Sequence, residues 1–361
     1  MTAPVEAREL LLVASGTAHA GDAGRPMDGS LAVCQFAPHS GLSVEARLPG
    51  PSRPLYAAAH PTTGVAYVAS LDGGGSIHAV DLRSGRTAAT RSGGEAPCHI
   101  AISPDGSLLF CANYSGGSVS AHRLREGGEL GRMTAFVDLS SGVLSGRGSQ
   151  VSKPHHIEVC SDSPGELLVA DLGRSDIRRF AYRKNGSLAG LAGGLEAGAP
   201  NAALGTRSLA RDASGHLWCS EEHSSTVSRM AVHGDGRIRR THTWPATSRT
   251  GSRRNYPGQI VASADRRSVY AANRGRDTIT VCSARKEGLG PIQEVGCGGR
   301  WPSALAVLGQ FLLVANRDSD NISALLIDPD DGTLGPARQV LSVPRPAALA
   351  LVSAPRNRES A

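Results

Sequence analysis

Residues 153–173 read KPHHIEVCSDSPGELLVADLG. Two short apolar stretches flank the polar residues 161–165, a pattern that predicts two β-strands joined by a tight turn, with the second strand ending at Asp171. The same pattern recurs along the chain. Residues 97–102, for example, are followed by a Ser-Pro-Asp-Gly turn at 103–106 and a second apolar stretch at 108–111.

The ends of these second strands recur at intervals of roughly 40–60 residues, which is typical of a repeat fold. They fall at Ser15, Ser70, Asn113, Asp171, Glu221, Asn273 and Asn316. Seven such units predict an all-β, seven-bladed β-propeller. The first unit begins at residues 9–13 with no strand before it, and the chain closes with a strand at 346–352 that has no partner after it. We therefore expect the N- and C-terminal strands to pair and remove two exposed sheet edges. Residues 9–353 would form one propeller between tails at 1–8 and 354–361.

Composition narrows the class of partner. The chain of 361 residues carries a formal charge of +6, but aromatic residues make up only 4 % and the basic residues are scattered. Nucleic-acid binding would call for clustered basic and aromatic side chains, so a small anionic substrate is the better expectation. We expect a monomer or a weak homodimer.

The seven cysteines and the N-terminal residues bear on location. An odd number of cysteines within apolar strands is typical of buried free thiols in a reducing compartment. The apolar run at 10–13 is too short for a signal peptide or a membrane span. These features predict a cytoplasmic protein with no membrane partner.

Polar residues are expected to converge at one end of the propeller channel. The first two strands of each unit are antiparallel, so first-strand starts lie beside second-strand ends. The residues predicted there are His99, His156, Arg207, Gln259, Asn113, Asp171, Glu221, Glu222, Asn273, Arg274 and Asn316. A carboxylate between two guanidiniums favours a preorganised catalytic site, although a structural ion-pair network would look the same. The asparagines and aspartate are also good turn formers, and His155 should alternate to the other face of its strand.

Other catalytic motifs are absent from the sequence. There is no Gly-x-Ser-x-Gly elbow, no phosphate-binding loop and no zinc-binding cysteine or histidine spacing. We therefore expect no metal and no organic cofactor. Two long polar connections, at 136–152 and 241–255, are either functional loops or padding at the rim.

Several segments together resemble the lactonase family of seven-bladed propellers, which includes 6-phosphogluconolactonases and 3-carboxy-cis,cis-muconate cyclase. They are Pro97-Cys98-His99, Pro154-His155-His156, Ala170-Asp171-Leu172-Gly173, Glu222-His223-Ser224-Ser225, Asn273-Arg274-Gly275 and Ala315-Asn316-Arg317-Asp318. The resemblance implies a catalytic set of His156, Arg207, Glu222 and Arg274. It also implies that His155 and the preceding loop residues Arg147 and Gln150 contact substrate.

This sequence departs from the family pattern at several site positions. The two histidines are adjacent, whereas the family usually has one residue between them. Ser208 follows the arginine where a histidine is usual, Gln259 replaces a glutamate, and residues 302–304 read Pro-Ser-Ala. The resemblance implies a hydrolase acting on a small anionic lactone, with Glu222 or His156 as general base and the arginines binding anion and oxyanion. A cycloisomerase, an enzyme repurposed for a larger substrate, and a non-catalytic scaffold are the alternatives.

Overall fold

A computed structural model describes residues 10–16, 29–37, 41–140, 151–196, 204–248, 252–285 and 289–352. The proposed tails at 1–8 and 354–361 lie outside these residues. The described residues form seven sheets, which we call blades 1–7 in chain order.

Blades 1–4 contain the first fifteen strands, and β29 completes blade 1. The strands are β1 (Leu10–Ser15), β2 (Ser30–Ala37), β3 (Gly41–Pro49), β4 (Pro54–Ala59), β5 (Val65–Ser70), β6 (Ser76–Asp81), β7 (Thr87–Arg91), β8 (Pro97–Ile102), β9 (Leu108–Asn113), β10 (Ser118–Leu124), β11 (Leu130–Asp138), β12 (Pro154–Val159), β13 (Glu166–Asp171), β14 (Asp176–Tyr182) and β15 (Leu188–Gly190).

Blades 5–7 contain the remaining strands, and blade 5 has a fifth strand, β16, parallel to β20. The strands are β16 (Gly194–Leu195), β17 (Thr206–Arg211), β18 (Leu217–Glu221), β19 (Thr226–Val232), β20 (Arg237–Pro245), β21 (Tyr256–Ala262), β22 (Ser268–Arg274), β23 (Thr278–Ser283), β24 (Gly290–Gly296), β25 (Pro302–Leu308), β26 (Phe311–Asn316), β27 (Asn321–Leu326), β28 (Arg338–Ser342) and β29 (Pro346–Val352). Short 3₁₀ helices lie at Asp72–Gly74, Glu126–Gly128 and Arg317–Ser319.

The ring closes as the sequence predicts. Strand β29 pairs antiparallel with β1, with Ala350 opposite Leu12, so the C-terminal strand becomes the inner strand of blade 1. The inner strands β29, β4, β8, β12, β17, β21 and β25 contact one another in that circular order. The seven-bladed propeller is therefore confirmed.

The core lies between the blades. Seven clusters of buried apolar residues occur among the described residues, and each joins two adjacent blades. All seven cysteines are free, and all except the half-buried Cys98 are buried. Burial of apolar side chains on both faces of each sheet explains why the strands read as nearly continuous apolar runs.

The turns between first and second strands also form as their sequence predicts. In blade 3, Ser103 Oγ donates to Asp105 Oδ1 at 2.6 Å, and Gly106 takes a left-handed conformation with φ of 71°. Ser263 and Asp265 make the same 2.6 Å bond in blade 6. These hydrogen bonds within the turn hold the antiparallel pair in register.

A β-bulge at the start of each inner strand shapes the channel. The pairing register shifts between Pro154 and His156, between Thr206 and Ser208, and at the corresponding place in the other blades. A bulge inserts an extra residue that breaks the simple alternation of side chains. We call these inserted positions the bulge residues; they are Leu55, Cys98, His155, Arg207, Gly258, Ser303 and Ala347. In blade 6 the irregularity spans both Gly258 and Gln259.

No helix among the described residues has the length and apolar character needed to cross a membrane.

Candidate active site

A cavity of about 300 Å³ lies at one mouth of the channel. Two positions per blade supply most of its wall: the bulge residue of the inner strand and the residue that follows the end of the second strand. Leu55, Arg207, Ser303 and Ala347 belong to the first kind, and Gly16, Leu71 and Arg317 belong to the second. Arg274, the last residue of β22, occupies the place that corresponds to Arg317. Residues from distant parts of the sequence thus meet because the seven blades repeat one geometry.

Two of the lining arginines share one carboxylate, that of Glu222. Arg207 Nη1 and Arg274 Nη2 each donate to Glu222 Oε2 at 2.6 Å. The three side chains are 12–19 % exposed, so the pairs are largely desolvated. The predicted proximity of Glu222 to both arginines is therefore confirmed.

Gly258 makes room for one of these arginines. A Cβ at position 258 would lie 3.2 Å from Arg274 Nε and 3.3 Å from its Cδ, which is tighter than an ordinary contact. Arg274 Nε donates to the carbonyl of Tyr256 at 3.0 Å. Arg274 therefore lies along its own inner strand, with its guanidinium directed to Glu222 of the preceding blade.

The charges of this cluster shift one another. Burial alone would raise the pKa of the Glu222 carboxyl, but Arg207 and Arg274 outweigh burial and hold that pKa below its usual value. Burial and the like charge of Arg207 lower the pKa of Arg274 to about 9, although Glu222 opposes them. Glu222 is thus ionised at neutral pH. The positive charge of Arg274 is only partly compensated by Glu222, and additional negative charge nearby would stabilise it.

The adjacent histidines have different surroundings. His155 is the bulge residue and occupies the position of Arg207, whereas His156 corresponds to Ser208. His156 Nδ1 lies 3.4 Å from Ser208 Oγ, and its ring packs 4.1 Å from that of His99. The expectation that His155 faces away from the arginines does not hold, because the bulge disrupts the strand alternation on which it rested.

Both imidazoles are held neutral. Burial, then the charges of Arg207 and Arg274, places the pKa of His155 well below its ordinary value. Burial and Arg207 lower the pKa of His156 to about 3. Each imidazole is therefore unprotonated at neutral pH, and a bound anion that offsets the charge of the arginines would make His155 a stronger base.

His99 and Gln259 join neighbouring blades. The backbone N–H of Ile157 donates to His99 Nδ1 at 3.3 Å, and that of Leu305 donates to Gln259 Oε1 at 2.9 Å. His99 also packs 4.1 Å from the ring of Tyr56. His99 and Gln259, both predicted to contact substrate, thus accept hydrogen bonds from the inner strands of the neighbouring blades.

The predicted contacts at the second-strand ends lie inside their blades. Asn113, Asp171 and Asn316 are all 0 % exposed. Asn113 donates to Ser118 Oγ at 3.2 Å, Asn316 donates to Ser323 Oγ at 3.0 Å, and Asp171 accepts from Ser152 Oγ and from the backbone N–H of Lys153. The geometry does not support them as substrate contacts, because their side chains are buried and bonded within their own blades. After Asn316, strand alternation turns Arg317 toward the cavity. Arg147 and Gln150 lie outside the described residues.

The cavity contains residues that sequence reasoning missed, namely Trp301, Ser303, Arg317 and Arg345. One signal was available: Asn316-Arg317 repeats the Asn273-Arg274 dipeptide at the same place in the next blade. Trp301 and Arg345 precede the prolines that begin β25 and β29, and nothing in their local sequence marks them. In the described part of the chain, no group of three or more His, Cys, Asp or Glu side chains is arranged to hold a metal ion.

Comparison with known proteins identifies the family to which this chain belongs. The family described as lactonase, 7-bladed beta-propeller matches residues 23–351. The chain belongs to the lactonase family. It is 25 % identical to a 6-phosphogluconolactonase of Bacillus subtilis over 309 residues, which cover 81 % of this chain and 85 % of that protein. A second 6-phosphogluconolactonase, from Formosa agariphila, is 29 % identical over 261 residues, or 70 % of this chain and 72 % of that protein.

A solved structure shows the same fold. The periplasmic gluconolactonase of Pseudomonas aeruginosa superposes with a TM-score of 0.78 at 25 % identity, covering 95 % of this lactonase-family chain and 99 % of that one.

Proposed function

We propose that this lactonase-family protein hydrolyses a small anionic lactone in the cavity around Glu222. The observation that carries the proposal is the single carboxylate oxygen held at 2.6 Å by both Arg207 and Arg274 at a mouth of the channel. Fixed guanidiniums in a partly desolvated site are suited to stabilise negative charge that develops during a reaction. The names of the related proteins support the same class of reaction.

The arginines would bind the developing oxyanion. When water adds to the lactone carbonyl, its oxygen gains negative charge, and Arg207 and Arg274 are placed to donate to it. Glu222 orients both guanidiniums and compensates part of their charge in the free enzyme. Glu222 is a weak candidate for the general base, because its carboxylate already accepts charge-assisted hydrogen bonds from both Arg207 and Arg274.

His155 is our candidate for the general base. It occupies the bulge position next to that of Arg207 in the ring of blades, and its imidazole is neutral. It would take a proton from the attacking water, and the ring C–O bond would then break as the alkoxide receives a proton. The net reaction consumes one water, converts the ring ester to a hydroxy acid, and releases a proton when that acid ionises.

Proton release during turnover tests this proposal. The wild type should acidify a weakly buffered solution of an anionic lactone above the spontaneous rate, and His155→Gln should lower kcat/KM by about 10²–10⁴-fold. His156→Gln is the matched control, since the adjacent imidazole contacts Ser208 and His99 between the blades. Equal losses in both variants, or a loss only in His156→Gln, would refute the assignment of His155.

A second candidate is cyclisation of an unsaturated dicarboxylate. The observation that favours it is the number of arginines in the cavity wall, which would suit two carboxylates. Cyclisation would proceed without consumption of water, and loss of conjugated ultraviolet absorbance without proton release would identify it.

A further inference from the structure

The charged side chains of the cavity lie on one side. Blades 5–7 and the residue before β29 contribute Arg207, Arg274, Trp301, Ser303, Arg317 and Arg345. The second wall, which comes from blades 1 and 2 and adjoins blade 7, consists of Gly16, Pro54, Leu55, Leu71 and Ala347. None of the described residues lining this second wall has a polar side chain. The cavity is therefore positive at one end and apolar at the other.

The positive end has more cationic groups than the reaction requires. Glu222 already bridges Arg207 and Arg274, and Arg317 Nε donates to Asp318 at 2.8 Å. Four guanidiniums therefore line this end, and the carboxylates of Glu222, Asp318 and Asp320 lie close to them. Since Arg317 also contributes to lowering the pKa of Arg274, a bound anion would relieve the repulsion between them.

Trp301 holds two of these guanidiniums in place. The guanidinium carbon of Arg317 lies 5.0 Å from the centre of the Trp301 ring, and that of Arg274 lies 5.6 Å from it. Such cation–π contacts are worth about 0.5–2 kcal/mol each. The indole therefore positions like charges side by side at the cavity wall without neutralising them.

The backbone gives an independent indication that these side chains are functional. Trp301 and Arg345 both have left-handed conformations, with φ of 58° and 40°, and each directly precedes a proline. A large side chain with positive φ costs about 1–2 kcal/mol. Ala96 has the same conformation before Pro97, with φ of 52°, so this turn does not require a large residue. At two of these strained positions the chain places a large side chain that lines the cavity.

On the basis of the proposed lactone hydrolysis, we infer that the substrate is an amphipathic lactone, with an anionic group at one end and an apolar substituent at the other. Arg317 and Arg345 bind the anionic group, which leaves Arg207 and Arg274 for the reacting carbonyl. Leu55 and Leu71 contact the apolar substituent. Of the three arginines outside the blade of Glu222, Arg274 thus serves catalysis, and Arg317 and Arg345 serve substrate selection.

The apolar wall argues against a polyhydroxylated ring. Each sugar hydroxyl placed against leucine, proline or alanine would lose hydrogen bonds to water without replacement, at a cost of about 1–3 kcal/mol. An alkyl group there gains up to about 0.8 kcal/mol for each buried CH₂. The wall therefore weakens the binding of a polyhydroxylated lactone and strengthens the binding of an alkyl-substituted one.

A set of synthetic lactones tests the inference. It comprises γ-butyrolactone carboxylates with hydrogen or butyl on the ring, the methyl ester of the butyl compound, and 6-phosphogluconolactone. We expect kcat/KM to be about tenfold or more higher for the butyl carboxylate than for its unsubstituted parent, and to fall by at least tenfold for the ester. The butyl carboxylate should also exceed the phosphosugar lactone.

Variants assign these preferences to residues. Arg317→Gln should lower kcat/KM for the carboxylates by about tenfold or more, and should lower kcat/KM for the ester by a much smaller factor. Leu71→Asn should remove the advantage of the butyl group. Arg300→Gln is the matched control, because Arg300 is an exposed neighbour that donates to the carbonyl of Asp318 and does not line the cavity. Melting temperatures confirm that each variant is folded.

Binding to the Glu222→Gln variant separates this inference from the proposed activity. Calorimetry with the butyl hydroxy acid and with 6-phosphogluconate measures which class of ligand binds, whether or not any lactone is hydrolysed. Absence of hydrolysis of every lactone would refute the proposed function but not the inferred class of ligand. Tighter binding or faster turnover of the phosphosugar, or an unchanged butyl preference in Leu71→Asn, would overturn the amphipathic substrate.

Discussion

Glu221 and Glu222 are adjacent glutamates with different surroundings, and replacing each by glutamine separates catalysis from stability. Glu222 accepts two charge-assisted bonds from Arg207 and Arg274 at a cavity mouth, where it is 19 % exposed. Glu221 is fully buried and bonded to Arg240, Thr226 and Ser228 inside blade 5. We expect Glu222→Gln to abolish most activity at a moderate loss of stability, and Glu221→Gln to do the reverse.

The magnitudes follow from these contacts. Hydrogen bonds to charged groups contribute about 1.5–3 kcal/mol each, and glutamine keeps one acceptor, so Glu222→Gln should lower the free energy of unfolding by about 2–3 kcal/mol. Removing the buried charge of Glu221 leaves Arg240 unpaired and should cost about 3–5 kcal/mol. With an unfolding entropy of about 2.1 cal/mol/K per residue, the 361 residues give melting-temperature decreases of about 3–4 °C and 4–7 °C.

Activity should follow the opposite order. Loss of the carboxylate that orients both guanidiniums should lower kcat/KM by about 10²–10³-fold in Glu222→Gln. Glu221→Gln should stay within about threefold of the wild type at a temperature where it is folded. Thermal melting by circular dichroism and proton release with the butyrolactone carboxylate measure the two effects. A folded Glu222→Gln protein that retains a tenth of wild-type activity would refute the catalytic role of this cluster.

Three further predictions concern pH and the second-strand ends. Because burial and the arginines depress the pKa of His155 far below 6.5, kcat/KM should stay constant as the pH falls from about 7.5 to 5.5, and a decrease centred near 6.5 would contradict this. The pKa of Glu222 is lower in the folded protein than its usual 4.5, so its stabilisation is complete above about pH 4.5 and is lost as the pH falls through the folded value; urea unfolding should show the difference between wild type and Glu222→Gln shrinking only below that pH. Asn113→Ala should lower the free energy of unfolding by about 1–3 kcal/mol and leave KM unchanged, whereas a raised KM at unchanged stability would restore Asn113 as a substrate contact.

The repeat could be predicted from the sequence because each blade has the same order of short apolar strands and turns. Alternation of short apolar strands with turns such as 103–106 identified the seven units, and the partnerless terminal strands predicted the pairing of β1 with β29. The proximity of Glu222 to Arg207 and Arg274 followed from antiparallel pairing within a blade and from the ring arrangement of neighbouring blades. These features depend on residues close together in the chain, or on the repeat of the blades, which is visible in the regular spacing of the second-strand ends.

The wrong predictions at the site concern which of two consecutive residues faces the cavity. Asn316 was predicted to face substrate, but it is buried and Arg317 lines the cavity. His155 was expected to point away, but a bulge places it in the ring position of Arg207. Since successive side chains on a strand face opposite directions, a single inserted residue reverses which of two neighbours reaches the channel.

The amino-acid sequence by itself determined the number of blades, the closure of the ring and the residues at the centre of the charged cluster, because short-range alternation and turn chemistry suffice for these. Only the tertiary structure decided which side chain of each adjacent pair faces the cavity. It also revealed that Trp301, Arg317 and Arg345 line the same cavity as leucine, proline and alanine residues. The physical reason is that bulges and left-handed residues before proline set side-chain direction through backbone geometry, which the residue types at those positions do not specify.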